Sequence, residues 1–148
     1  YHVDPKRIGV EITESMMETD SDNTRQVITE LRDLGFMILI DDFGTGYSNL
    51  SRIFDLPVTV VKFDRSLLLS SEKRSGKETI TGLVNIFNRM GIQTLCEGVE
   101  DEAEESFCKK TAFDYLQGYK YSRPIPIENL AKIKDRIENG EQKTEEDR

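Results

Sequence analysis

The sequence predicts a parallel α/β fold, and three observations carry that expectation. Short apolar runs of strand length alternate with segments of helical periodicity, and the alternation repeats five times over 148 residues. Four of the strand-like runs carry an ionisable residue near their far end. Glycines and capping residues stand where the helical segments stop and start.

The first unit opens with "RIGVEIT" (7–13), in which Ile8, Val10 and Ile12 share one face and Glu11 and Thr13 the other. A helix follows from about Asp22 to Leu34, capped by Asp20 or Asp22, with Val27, Ile28, Leu31 and Leu34 as its apolar stripe and Gly35 as its stop. The second unit is "FMILI" (36–40), running into Asp41 and Asp42, with a short helix from about Tyr47 to Phe54. The third, "VTVVKFD" (58–64), enters through Pro57 and places Val58, Val60, Lys62 and Asp64 on one face. Ser75-Gly76-Lys77-Glu78 then reads as a capping box ahead of Ile80, Leu83, Val84 and Phe87, and Gly91 closes that helix. The fourth strand, "IQTLCEG" (92–98), sets Glu97 in step with Gln93 and Leu95 and precedes an acidic helix start at Asp101. The fifth is the short "FDYLQGY" (113–119), with a closing helix from Ile127 to Asn139 that stops at Gly140. Residues 141–148, "EQKTEEDR", read as a disordered charged tail beyond a single domain over 1–140. Two architectures fit five such units: a complete open doubly wound sheet, or part of a barrel whose full form takes about 250 residues and eight units.

The net charge of −8 excludes a protein that wraps nucleic-acid polymer, although not one that holds a small phosphorylated ligand through metal ions. Two irregularly spaced cysteines, Cys96 and Cys108, make neither a disulfide framework nor a zinc site and read as reduced thiols in a cytoplasmic protein. No run has the length and apolarity of a membrane span. The opening "YHVDPKRIGVEITES" lacks an initiator Met and reaches a strand within a dozen residues, which predicts a piece of a longer protein.

Parallel α/β folds build their sites at the carboxyl ends of strands. Glu11, the Asp41–Asp42 pair, Lys62 and Glu97 all fall there, with Gln117 at the matching place on the fifth strand. Gathered carboxylates repel one another unless cations neutralise them. Oxygen-only ligands suit Mg2+ or Mn2+, and two such ions can clamp both oxygens of a phosphoryl displacement, with the lone Lys stabilising charge or orienting water. Singly, each residue has a plainer explanation. A strand-end Glu or Lys is usually solvated, Gly44 and Gly46 suit any tight strand-to-helix turn, and Tyr115, Tyr119 and Tyr121 read first as packing residues. The tripeptide "DFG" also occurs in protein kinases, but this chain has neither a VAIK-like nor an HRD-like motif. The convergence of four strands on one end favours a site.

The stretches "VEITES", "DDFGTGYSNLSRIFDLPVTVVKFDRSLL", "GIQTLCEGVED" and "DYLQGYKYSRPIP" resemble, in order and spacing, the C-terminal two-thirds of the EAL domain, from about Ile8 to Pro126. That resemblance implies a partial TIM-type (β/α) barrel of about five units with its opening strands missing. It also implies hydrolysis of cyclic di-GMP to linear pGpG with two Mg2+ or Mn2+ ions. Carried over position by position, it makes Glu11, Asp41 and Asp42 metal ligands, with Asp41 bridging the two ions. Lys62 holds the attacking water and Glu97 assists beside it, Gln117 lines the substrate site, and Glu14 steadies the loop after "DDFG". The segment after Asp42 couples dimerisation to metal binding in that family. Cys96 and Phe63 stand where Ala and Ile are usual, both conservative packing changes.

Two departures matter. The Glu-x-Leu strand that names the family and the Asn-bearing strand after it are not among these 148 residues, and each supplies a metal ligand. The expectation is therefore a C-terminal part of a bacterial signalling phosphodiesterase that is inactive, or nearly so, in isolation. The alternative is a degenerate EAL module that binds nucleotide or a protein partner without chemistry. The unclosed barrel also predicts self-association through its exposed edge, or through the segment after Asp42.

Overall fold

A computed structural model describes residues 2–13, 16, 21–46 and 50–130, with the backbone alone at 21 and 22. The strands are β1 (Gly9–Thr13), β2 (Met37–Phe43), β3 (Val60–Phe63), β4 (Gln93–Cys96) and β5 (Tyr115–Leu116). The helices are α1 (Ser21–Asp33), α2 (Leu50–Asp55), α3 (Arg65–Ser70), α4 (Arg74–Arg89) and α5 (Glu102–Thr111). All neighbouring strands pair in parallel.

Strand order decides between the two architectures. The sheet runs β1-β2-β3-β4-β5, the same as chain order. With the right-handed crossovers that parallel units adopt, an unbroken order sends every connecting helix to one face. A doubly wound sheet reverses direction and covers both faces. The core confirms one covered face: Ile12, Ile38, Ile40, Val61 and Phe63 from the strands pack with Ile28 of α1, Ile53 of α2 and Ile80, Val84 and Phe87 of α4. At its centre four rings meet edge to face, with Phe63 at 5.2 Å from Phe43, 6.0 Å from Phe87 and 5.0 Å from Phe113. This is barrel-type winding, and a partial (β/α) barrel is the fold.

Several boundaries differ from the sequence reading. β2 does not end ahead of the acidic pair but runs through it to Phe43. The helix Arg65–Ser70 was missing from the sequence expectation, although Asp64 signals it by capping: its Oδ1 accepts the Ser66 N–H at 2.8 Å. Asp64 therefore turns to cap a helix instead of sharing the Lys62 face. Val58 likewise packs in the core, because alternation holds only within the paired residues 60–63. The capping box at Ser75 does not form. The helix begins two residues earlier, at Arg74 after Lys73 in place of Ser75 as N-cap, with no side-chain cap, and the Arg74–Glu78 pair at 2.8 Å occupies that glutamate. In α1, Ile28 is buried and Leu31 packs against the core, but Val27 stands 48% exposed and Leu34, in the turn just after the helix, 65%. Those two lie at the edges of a stripe narrower than the four apolar positions imply.

β5 is only two residues long, and Ile127–Asn129 form a 3-10 turn. The rest of the expected closing helix, the charged tail, Glu14, Asp20 and Tyr47 lie outside the described residues. Tyr121 packs against a second apolar cluster with Leu68, Cys96, Val99 and Cys108, whereas Tyr115 and Tyr119 are half-exposed and do not serve as core residues. Cys96 and Cys108 are buried free thiols. Among the described residues, no helix is long and apolar enough to cross a membrane.

Candidate functional site

The uncovered face carries the polar residues. Register sets them side by side: Glu11 pairs with Leu39, Thr13 with Asp41, and Lys62 with Leu95. Since Val61 and Phe63 point into the helical core, Lys62 between them points to the opposite face. There its side chain is nearly enclosed, with 6% of the residue exposed.

Lys62 is the hub. Its Nζ lies 2.8 Å from Glu11 Oε1, 2.7 Å from Asp41 Oδ1 and 2.9 Å from Glu97 Oε1, so β1, β2 and the residue just after β4 each deliver one carboxylate to the ammonium on β3. Burial pushes the ammonium pKa down, but hydrogen bonds to Asp41, Glu11 and Glu97 outweigh it and raise the pKa well above the ordinary lysine value. Lys62 is thus firmly charged, a counter-ion and hydrogen-bond donor and not a proton acceptor at neutral pH.

Asp42 enters by a different route. The β2–β3 register shifts between Ile40 and Phe43, and Asp42 adopts φ 55°, a left-handed conformation that Asp tolerates better than most residues. This bulge inserts an extra residue and re-aims it, so both members of an adjacent pair serve one site although strict alternation would place them on opposite faces. One carboxylate oxygen each from Asp41, Asp42 and Glu97 lie within 4.8 Å of one another. Three hard oxygen donors at that separation, from two partly buried residues and one exposed residue, suit a divalent cation such as Mg2+ or Mn2+. The donor set fits the ions that the sequence implies.

Of the expected site residues, Glu11, Asp41, Lys62 and Glu97 come together directly, and Asp42 joins through Asp41 and Glu97. Gln117 directly follows β5 and is held through its backbone: its N–H donates to Cys96 O at 2.9 Å and its carbonyl accepts from Val99 N at 3.0 Å, with no hydrogen bond to the Lys62 cluster among the described residues. Its side chain is exposed. Gly118 follows because a Cβ there would collide with the Val99 backbone, so the two loops can touch only with glycine at this place. The sequence reading missed Arg65, whose guanidinium reaches across to the Glu97–Gly98 turn. The only local signal was its place just after Lys62 and the Asp64 cap.

A singly wound parallel (β/α) sheet with an acidic, lysine-centred cluster at its strand ends defines a barrel-type α/β protein with a candidate cation site. The EAL domain family matches residues 1–124, and the chain belongs to that family. It is 37% identical over 131 residues to the signalling protein YkoW of Bacillus subtilis, covering 88% of this chain and 16% of that one. It is 33% identical over 131 residues to the bifunctional diguanylate cyclase/cyclic di-GMP phosphodiesterase MucR of Pseudomonas aeruginosa, covering 88% of this chain and 19% of that one. The structure of the MucR phosphodiesterase in complex with c-di-GMP superposes with a TM-score of 0.79 at 32% identity, covering 86% of this chain and 52% of that one. Klebsiella pneumoniae BlrP1 in a manganese/c-di-GMP complex gives 0.77 at 30% identity, covering 82% and 31%. The chain thus spans about a sixth to a fifth of these curated relatives and a third to a half of the solved chains.

Proposed function

We propose that this chain is the C-terminal part of an EAL-type phosphodiesterase that hydrolyses cyclic di-GMP to pGpG with two divalent ions, Mg2+ or Mn2+. The observation that carries the reading is the Lys62 hub, where Glu11, Asp41 and Glu97 converge at 2.7–2.9 Å with Asp42 alongside. Structural relatives whose names record c-di-GMP and manganese complexes support it.

Glu11, Asp41 and Asp42 would hold the ions, with Asp41 between them. Bound there, the ions would lower the pKa of water and neutralise charge on the phosphodiester. Lys62, permanently charged, would hold and orient the attacking water through its Nζ and stabilise negative charge that develops as the phosphorus is attacked. Glu97, hydrogen-bonded to the same ammonium, would fix its direction and share that water. Gln117, exposed at the rim, would line the substrate. Glu14 would steady the loop that follows the acidic pair. The segment after Asp42 or the open sheet edge would join two copies, in the cytoplasm.

The isolated 148 residues would be inactive or nearly so. They contain neither the Glu-x-Leu strand nor the Asn-bearing strand, so ion binding is weakened and the scissile phosphate is poorly placed. Assaying cyclic di-GMP turnover with Mn2+ in this chain and in a protein carrying it within a whole EAL domain tests both statements. The whole domain should turn over and the isolated chain should not. Rapid turnover by the isolated chain would overturn the inactivity, and a silent whole domain would favour a non-catalytic binding module.

A further inference from the structure

We propose that Arg65 is a positioning residue for Glu97, clamping the β4–α5 turn to the β3–α3 turn so that the Glu97 carboxylate meets Lys62 and the acidic pair in fixed geometry. The inference rests on the reading that Glu97 belongs to the site.

Arg65 opens α3 three residues after Lys62, and Gly98 follows Glu97 directly. The Arg65 guanidinium donates from Nη1 to the Gly98 carbonyl and from Nη2 to Glu100 Oε2 at 2.8 Å, with Glu104 Oε1 at 3.6 Å. A single planar fork therefore grips the main chain one residue beyond Glu97 and two side chains further along. Gly98 makes this possible. Its φ of +71° turns the chain sharply after Glu97, and a Cβ there would strike the Arg65 side chain.

Both ends of the clamp are anchored. Asp64 caps α3 through the Ser66 N–H at 2.8 Å, fixing the helix turn that bears Arg65. On the other side Glu104 is held by α5: its N–H donates to Asp101 Oδ1 at 2.8 Å, and its Oε2 accepts the Glu100 N–H at 2.7 Å. The last backbone bond before the clamp, Glu97 N–H to Phe63 O at 3.0 Å, already joins the same two segments. Together these contacts tie the residue bearing Lys62 and the residue bearing Glu97 into one unit.

Two other roles fit less well. A pair with Arg65 32% and Glu100 48% exposed adds little to stability, so the arrangement is not explained as a staple. Nor is Arg65 poised to bind a phosphate, because its guanidinium is already engaged by a carbonyl and two carboxylates.

The test uses this chain with Arg65→Ala, Arg65→Lys and Glu97→Gln. Residue-resolved amide hydrogen exchange should show residues 97–100 of Arg65→Ala exchanging about tenfold faster, while the β2 amides of Leu39 and Ile40 are unchanged, and Arg65→Lys should recover part of the difference. Mn2+ titration followed by the electron paramagnetic resonance of the free ion should show binding weakened about tenfold in Arg65→Ala. That loss should vanish when Glu97→Gln is already present. Unchanged exchange at 97–100, or acceleration spread evenly over the sheet, would overturn the proposal. So would an Arg65→Ala loss of Mn2+ affinity that persists in the Glu97→Gln background. If Arg65→Ala does not fold, Glu104→Gln loosens the other side of the clamp and should give the same local exchange pattern. Absence of Mn2+ binding in the parent chain would count against the metal reading of the site, and the exchange measurements alone would then decide the clamp.

Discussion

Lys62 and Phe63 are consecutive residues of one strand, both buried, and they do opposite work. Phe63 is 1% exposed and lies among three other phenyl rings on the helix-covered face. Lys62 is 6% exposed and lies among three carboxylates on the other face. The apolar face gains from leaving water and from close packing, and its energy is insensitive to pH. The polar face gathers charge whose mutual attraction must offset desolvation, so its net contribution to stability is small. One strand thus separates the packed core from the charged cluster at a spacing of a single residue.

The sharpest way to break this contrast is Phe63→Ala. It should lower unfolding free energy by about 4 kcal/mol by urea denaturation, as expected for a fully enclosed aromatic, and by the same amount at pH 6 and pH 9. A loss below about 1.5 kcal/mol would mean that the aromatic cluster collapses around the gap and is not the anchor of the sheet.

Lys62→Met should follow at about 2 kcal/mol, below the ~3–5 kcal/mol of a fully buried pair broken on one side, because Glu11 is half-exposed. Millimolar Mn2+ should restore part of that loss in the variant by supplying the missing positive charge. The pH dependence follows from the raised lysine pKa. A group charged more readily in the folded state contributes fully below the unfolded value of about 10.4, and that contribution is lost as pH rises through the folded value. The difference between parent and variant should hold constant from neutral pH to about pH 10 and shrink only beyond it. A difference that faded between pH 7 and pH 9 would sink the assignment of Lys62 as a permanently charged hub.

Asp64→Ala should lower stability by about 1 kcal/mol at pH 7, the ordinary worth of an N-cap. Burial pushes the Asp64 carboxyl up, but hydrogen bonds from the Ser66 side chain and from the Ser66 and Arg65 backbone outweigh it and hold the pKa below the usual value. The cap's contribution is therefore present above the unfolded pKa and lost as pH falls through the depressed folded one, so parent and variant should converge in acid. Arg74→Ala, which breaks an exposed i,i+4 pair with Glu78, should change stability by about 0.3 kcal/mol. A larger loss would show that surface charge contributes more to this domain than the contrast between its two faces allows.

Much of the site was legible beforehand because parity within a strand is a local property. Glu11, Lys62 and Glu97 could be assigned to one face from their spacing to Val10, Val61 and Cys96 alone. The same reasoning failed where pairing ends: Val58 turns into the core and Asp64 becomes a cap, since alternation stops constraining a side chain outside the ladder. The capping box at Ser75 failed for a related reason. A local pattern competed with the Arg74–Glu78 pair and with a helix start set by the preceding turn. The α1 stripe was read too wide because Val27 and Leu34 are apolar yet lie beyond the sheet's reach.

The sequence by itself determined that strands and helices alternate, which side chains share a face, and that carboxylates and one lysine collect at the strand ends. Those properties are set by residues a few positions apart. Tertiary structure decided the rest. The unbroken strand order made the winding singly directed, the bulge at Asp42 brought a second aspartate onto a face that alternation denied it, and the Gly98 turn placed a carbonyl under Arg65. Each of these depends on how segments tens of residues apart dock, and no local pattern encodes a docking geometry.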